Sequence, residues 1–310
     1  MTTKGEMRFP IYTLFLSLFC IAIFVLFQYL SPKMDGAILF SKLGAPYAVQ
    51  IYIGQYWGVF TNSLVHINII HLLINLLALS VLGSYVERRI RIFNFFLIGL
   101  FASSVTSMFQ LTLTNDAGIG LSGVNYFLVS FILIKAMKND LFKLKWRYVY
   151  GLILLLVLPI SYYLNTKINF NIGIEAMLIG MLLGCITGWL SELKSRLYLV
   201  FFIIVIMGSG ISTLFYSPWS AEWNYTKGYR HHIKNEFQSA KKYYRVAIEI
   251  DPKHKICREN LRIIRIEQLC DLAMRAHENE DYLLANEYYQ KVLAIDPWNK
   301  WARENIKKLP

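Results

Sequence analysis

Seven apolar stretches occupy the first 216 residues, near 11–30, 59–83, 92–113, 120–136, 148–164, 172–190 and 197–216. Each is long enough, or nearly so, to cross a bilayer as a helix. The 120–136 stretch is short and polar at its start, which requires shielding by neighbouring helices. The first stretch has the length of a signal peptide. Six further spans follow it, and no convincing small-residue cleavage site does, so it reads as a span. The expected class is therefore all-α, a polytopic membrane helix bundle.

Composition agrees, with 55% hydrophobic and 17% charged residues and a positive mean hydropathy. The formal net charge of +12 fits either a nucleic-acid binder or a membrane protein with cationic loops. Its placement decides between them. Residues 1–220 hold 15 Lys and Arg, and 12 of these fall in loops on one side: the N-terminus, 84–91, 135–147 and 191–196. The other side has Lys33, Lys42 and Lys167. The positive-inside rule then puts the N-terminus in the cytoplasm and the C-terminal part outside it, in what reads as a bacterial plasma membrane. No interleaved aromatic-basic pattern supports nucleic acid as a partner. Membrane lipid is an expected one.

Residues 221–310 differ from the rest. They carry 17 Lys and Arg and 13 Asp and Glu, as a soluble helical tail would. The boundary falls near Ser217-Pro218, where the apolar run meets a turn-forming pair. Four cysteines place no metal site by spacing, and no cofactor is expected. Cys257 and Cys270 would face opposite sides of one straight helix, though pairing between separate helices stays open.

Polar residues inside spans are costly and tend to be functional. The second span carries His66, His71 and Asn75. The fourth begins Gly120-Leu-Ser122-Gly123, with Tyr126 one turn on. The sixth holds Glu175-Ala176-Met177 ahead of Gly180 and Gly184. All three spans start on the outer side, so these residues share a depth. His71 with Asn75, and Ser122 with Tyr126, share helix faces. Gly180 and Gly184 allow another helix to approach closely. Spacing and orientation predict one outward-opening polar pocket, with a serine nucleophile facing oxyanion donors.

Residues 55–190 resemble the rhomboid family of intramembrane serine proteases. The resemblance rests on His66/His71/Asn75, Glu87-Arg88, Gly120-Leu-Ser122-Gly123 with Tyr126, and Gly180/Gly184, in that order on spans 2, 4 and 6. It implies a six-helix core, with residues 1–54 as first span and outer loop and 191–220 as an added seventh span. It also implies Ser122 as nucleophile, His71 and Asn75 around the oxyanion hole, and transmembrane segments as substrates. The catalytic histidine of the family follows an alanine, three residues before the first glycine of the pair. Here Met177 follows Ala176, and no histidine lies within 165–200. A thioether cannot take the serine proton at neutral pH. Trp57 is followed by Gly58 where family members often have arginine.

Two readings follow: a pseudoprotease that binds transmembrane clients, and an endopeptidase with a non-standard base. Glu175 is a poor base, because its side chain points some 200° from Met177 on a helix. A transporter is disfavoured, since no charged pairs lie at mid-bilayer and no inverted repeat is visible.

The tail repeats itself. Ala240, Tyr243, Tyr244, Ile250, Asp251 and Pro252 recur 45 residues on as Ala285, Tyr288, Tyr289, Ile295, Asp296 and Pro297. This resembles the tetratricopeptide repeat, with units near 221–254 and 266–299 and a capping helix over 300–309. Gly228 and Ala247 fall at the small positions of the first unit, and Ala273 replaces glycine in the second. The resemblance implies a surface for a protein or peptide partner.

Overall fold

The computed structural model describes residues 9–138 and 173–310, and every regular element among them is helical. The apolar stretch at 148–164 lies outside the described residues. The chain divides into two compact units, 1–217 and 218–310.

The first unit opens with α1 (Ile11–Leu30). Two short helices follow, α2 (Gly36–Lys42) and α3 (Ala48–Tyr52). Then come α4 (Gly58–Thr61), a 3-10 turn (Asn62–Leu64) and α5 (Ile69–Glu87). The unit continues with α6 (Ile92–Thr114), α7 (Ser122–Lys138), α8 (Ile174–Leu190) and α9 (Leu197–Phe215). By length and composition, α1, α5, α6 and α9 can each cross a membrane, while α8 is a shorter apolar helix. Much of α1 and α9 is exposed apolar surface. That inversion of the soluble pattern is what a hydrocarbon surround permits.

Helix ends are satisfied across the bundle. Glu87, at the end of α5, accepts from Tyr12 N (2.8 Å), Thr13 N (2.9 Å) and Thr13 Oγ1 (2.7 Å). The carboxylate thereby supplies two of the orphan amides at the positive end of α1, which suits both its charge and its burial. At the far end of α6, Asn115 turns left-handed at φ 58°. The buried Lys135 of α7 pairs with Glu192 beyond α8 and donates to Ser191 Oγ at 3.2 Å.

Glycines set the closest approach. A Cβ on Gly180 would stand 2.1 Å from Gly123 O, and one on Gly184 would stand 2.2 Å from Phe127 O. Gly188 continues the row toward Phe131 O at 3.2 Å. Their four-residue spacing clears one face of α8, so α7 lies against its backbone. The ninth helix packs on α6, where Gly210 would carry a Cβ 3.1 Å from the Met108 side chain.

The second unit holds α10 (Ala221–His232), α11 (Phe237–Ile250), α12 (Lys255–Glu278), α13 (Tyr282–Ile295) and α14 (Lys300–Ile306). Two cores form in it. Ala240, Tyr244, Ala247, Cys257 and Ile264 make one; Ala273, Ala276, Ala285, Tyr289, Val292 and Ala302 make the other. The long α12 serves both, its first half the former and its second half the latter. Cys257 and Cys270 are both free thiols on this one helix. Tyr244 packs against Gly228, whose Cβ would stand 2.7 Å from its ring.

The 45-residue register reaches further than the sequence match suggested. Tyr244 bonds His232 Nδ1 (3.3 Å) and Tyr289 bonds His277 Nδ1 (3.1 Å), each histidine twelve residues upstream. Each imidazole also meets an aromatic edge, Phe237 or Tyr282. The turns match too, with Asn235 and Glu280 both at φ 61°. Burial pushes the Tyr244 phenol above its usual range, so its hydroxyl stays available as a donor.

Candidate active site

Asn68 fixes where α5 begins. Its side chain accepts from Ile70 N (2.8 Å) and His71 N (3.4 Å), a capping arrangement. The sequence reading started this span at 59 and placed His66 on it. The structure corrects that: 59–64 is a short helix and a 3-10 turn, and His66 lies in the extended connection before the cap. Hydropathy cannot see the difference, because irregular backbone at membrane depth is tolerated where protein covers it. Asn62, Ser63 and His66 are all buried.

His66 is fully committed. Its Nε2 accepts from Leu121 N at 3.4 Å, so Nδ1 carries the proton and donates to Leu64 O at 3.3 Å. The lone pair holds the loop before α7 and the proton holds the turn at Leu64, so neither is left for a proton transfer. His71 differs. Its Nε2 is buried and has no hydrogen-bond partner among the described residues. The two rings stand 5.1 Å apart over Gly120, where a Cβ would fall 2.6 Å from His71 Cε1 and 3.2 Å from His66 Nε2. Gly120 has φ +88°, so this position needs glycine for conformation as well as for space.

Asn75 lies one turn below His71 and donates to His71 O at 3.1 Å. Its own Oδ1 accepts from Asn125 Nδ2 at 3.0 Å. Asn125 escaped the sequence reading. A buried amide three residues after Ser122 in an apolar span was signal enough to find it. Gln110 was also missed; its side chain threads between Gly118 and Gly173, where Cβ atoms would stand 2.2 Å and 2.8 Å from it.

Ser122 opens α7, so the first-turn amides of that helix lack intrahelical partners and carry its positive end. The serine is 7% exposed. It borders a cavity of about 10 Å³, room for a single water at most. Thr106, Gln110, Gly120, Gly123 and Ala176 also line it. Among the described residues, no hydrogen bond joins the Ser122 hydroxyl to His71, Asn75 or any other side chain. Ala176 turns toward the serine's cavity, while Met177 is buried against Tyr126, with Val129 and Met181 beside them. The Tyr126 hydroxyl is itself buried, with no hydrogen-bond partner among the described residues. Gly123 and Gly180 bring these two elements together.

The arrangement therefore offers a serine at a helix N-terminus, an unpartnered imidazole nitrogen on α5, an amide pair, and a thioether.

Residues 53–194 match the Rhomboid domain family. The match covers the central part of a chain that has several helices long and apolar enough to cross a membrane. Two proteins named Rhomboid protease GlpG are similar to it. That of Haemophilus influenzae is 28% identical over 85 residues, covering 27% of this chain and 44% of the relative. That of an Enterobacter species is 28% identical over 130 residues, covering 41% and 45%. The chain thus spans less than half the length of these relatives.

Proposed function

We propose that this chain is a rhomboid pseudoprotease, a membrane-embedded binder of transmembrane segments. The observation that carries the reading is Met177, buried against Tyr126 and next to Ala176, at the place where the rhomboid motif calls for the general-base histidine. Without a base, a serine nucleophile keeps only what binding and oxyanion donors supply. The N-terminus is cytoplasmic in this reading, and residues 218–310 lie outside the cytoplasm. The matched His–Tyr pairs and left-handed turns support reading the tail as two tetratricopeptide units and a cap, which hold a protein or peptide partner.

The test is Met177→His in the full chain, presented with several model transmembrane substrates. Gain of cleavage, absent from the native chain and abolished by a further Ser122→Ala, supports the reading. Cleavage by the native chain, or Ser122-dependent labelling of it by a fluorophosphonate, overturns it.

A second reading keeps the protease active with His71 as the base, favoured by its unpartnered Nε2. It predicts cleavage by the native chain that stops in His71→Ala and Ser122→Ala alike.

A further inference from the structure

The first hairpin of the tail, α10 with α11, has its end face closed by the next helix. His232 is bonded on both ring nitrogens, by Tyr244 on Nδ1 (3.3 Å) and by Glu267 of α12 on Nε2 (3.0 Å). An ionised carboxylate only accepts, so Nε2 donates to Glu267 and Nδ1 is left to the Tyr244 hydroxyl. Beside this pair, Lys241 Nζ donates to Gln268 Oε1 at 3.3 Å. Two consecutive residues of α12 thus cover the face, and the His232 side chain is left 15% exposed.

The second hairpin, the end of α12 with α13, has the same parts without the cover. The 45-residue register continues past the tyrosines: Cys257, Leu261 and Ile264 pack on the first core where Ala302, Ile306 and Leu309 pack on the second. His277 stands in the place of His232, and Asn286 in that of Lys241. The Tyr289 hydroxyl occupies His277 Nδ1 at 3.1 Å. Among the described residues no carboxylate meets the other ring nitrogen, and the His277 side chain is half-buried. Leu283 lies one turn before Asn286 on the same helix face. It replaces Gln238 of the first hairpin and is 88% exposed. The rim is acidic, with Glu278 and Glu280 exposed where the first hairpin has Ile233 and Asn235. Residues 266–310 hold eight Asp and Glu against six Lys and Arg, whereas residues 221–265 hold five against eleven.

We infer that this end face, formed by His277, Leu283 and Asn286, takes one helix of a partner protein. That helix presents a carboxylate to His277 Nε2, an apolar side chain to Leu283 and basic residues to Glu278 and Glu280. Glu267 on His232 is the same contact made within the chain. Opposite charge across the rim sets the register and disfavours wrong partners. Two copies meeting through this face would instead set acid against acid. The site rests on the tail being a partner-binding repeat, and it is independent of whether Ser122 is reactive.

The probe is a fluorescein-labelled peptide of residues 262–278, which carries Glu267 behind Arg262 and Arg265, with Cys270→Ser to prevent oxidation. Fluorescence anisotropy follows its binding to the full detergent-solubilised chain, which should saturate at one peptide per chain. Glu267→Gln in the peptide and His277→Gln in the chain should each weaken binding by about tenfold or more, as expected for a hydrogen bond to a charged group. The two changes together should cost little more than either alone. Leu283→Glu should weaken binding as well, and at so exposed a position it keeps the test valid should His277→Gln disturb the tail. Binding that survives all three substitutions puts the peptide elsewhere on the tail, which overturns this site and spares the repeat reading. No binding to the native chain overturns the site and the partner-binding reading together. Self-association of the chain that Leu283→Glu abolishes, seen by light scattering, would assign the face to a second copy and also overturns the proposal.

Discussion

Asn125 shows how one buried amide can organise a site. Its Nδ2 donates to both Asn75 O (3.1 Å) and Asn75 Oδ1 (3.0 Å), joining α7 to α5 beside the histidines. Removing a hydrogen-bonded partner inside the bundle strands the group left behind, at about 1–3 kcal/mol. Asn125→Leu should therefore lower the apparent melting temperature of the detergent-solubilised chain, whereas Asn125→Asp or Asn125→Gln should lower it less. Equal melting of Asn125→Leu and the native chain would show that the bond contributes nothing. At this scale the sequence was informative about His71, Asn75 and Ser122, because polar residues in apolar spans stand out. It was silent on which histidine is engaged. Only the bond from Leu121 N to His66 Nε2 separates the committed ring from the unpartnered one, and that contact spans 55 residues of chain.

Among elements, the glycine face of α8 makes the sharpest prediction. Gly180→Ala places a methyl 2.1 Å from Gly123 O, a backbone atom that cannot swing away. Overpacking of that kind costs about 1–3 kcal/mol, and it should separate Tyr126 from Met177. Gly208 on α9 is the internal control: among the described residues nothing lies within 4 Å of its would-be Cβ. Gly208→Ala should leave stability unchanged or raise it by about 0.5–1 kcal/mol, as expected of a helix interior. Parallel thermal unfolding of the two variants checks both; equal destabilisation would refute the packing argument. The Gly-x-x-x-Gly spacing made this face readable in advance. The start of α5 was not readable in the same way. Hydropathy summed over 59–83 gave one span, but the helix waits for the Asn68 cap, nine residues later. Val59 and Val65 are apolar and buried in the short helix and connection that precede the cap, and hydropathy counts them as part of the span.

For the whole molecule, charge and contacts bear on different questions. The asymmetry of the loop cations predicts that alkaline phosphatase fused after Pro310 is active in bacterial cells and that a green fluorescent protein fused there is dark. The reverse pattern would turn the chain over. Contacts predict how it comes apart. The two units have separate cores, and the tail's are small, each centred on one tyrosine. Replacing Tyr289, 1% exposed, by alanine removes the largest side chain of the second core, a change of about 3–5 kcal/mol. That is a large share of the roughly 5–15 kcal/mol by which a folded domain is stable. Because α12 contributes to both tail cores, the loss should reach the first hairpin as well. Limited trypsinolysis of the full Tyr289→Ala chain in detergent should therefore degrade the tail rapidly and leave a fragment ending at Lys227, the first lysine or arginine after Ser217. If only the last two helices become sensitive, α12 does not couple the hairpins; if none does, Tyr289 is not the keystone its burial indicates.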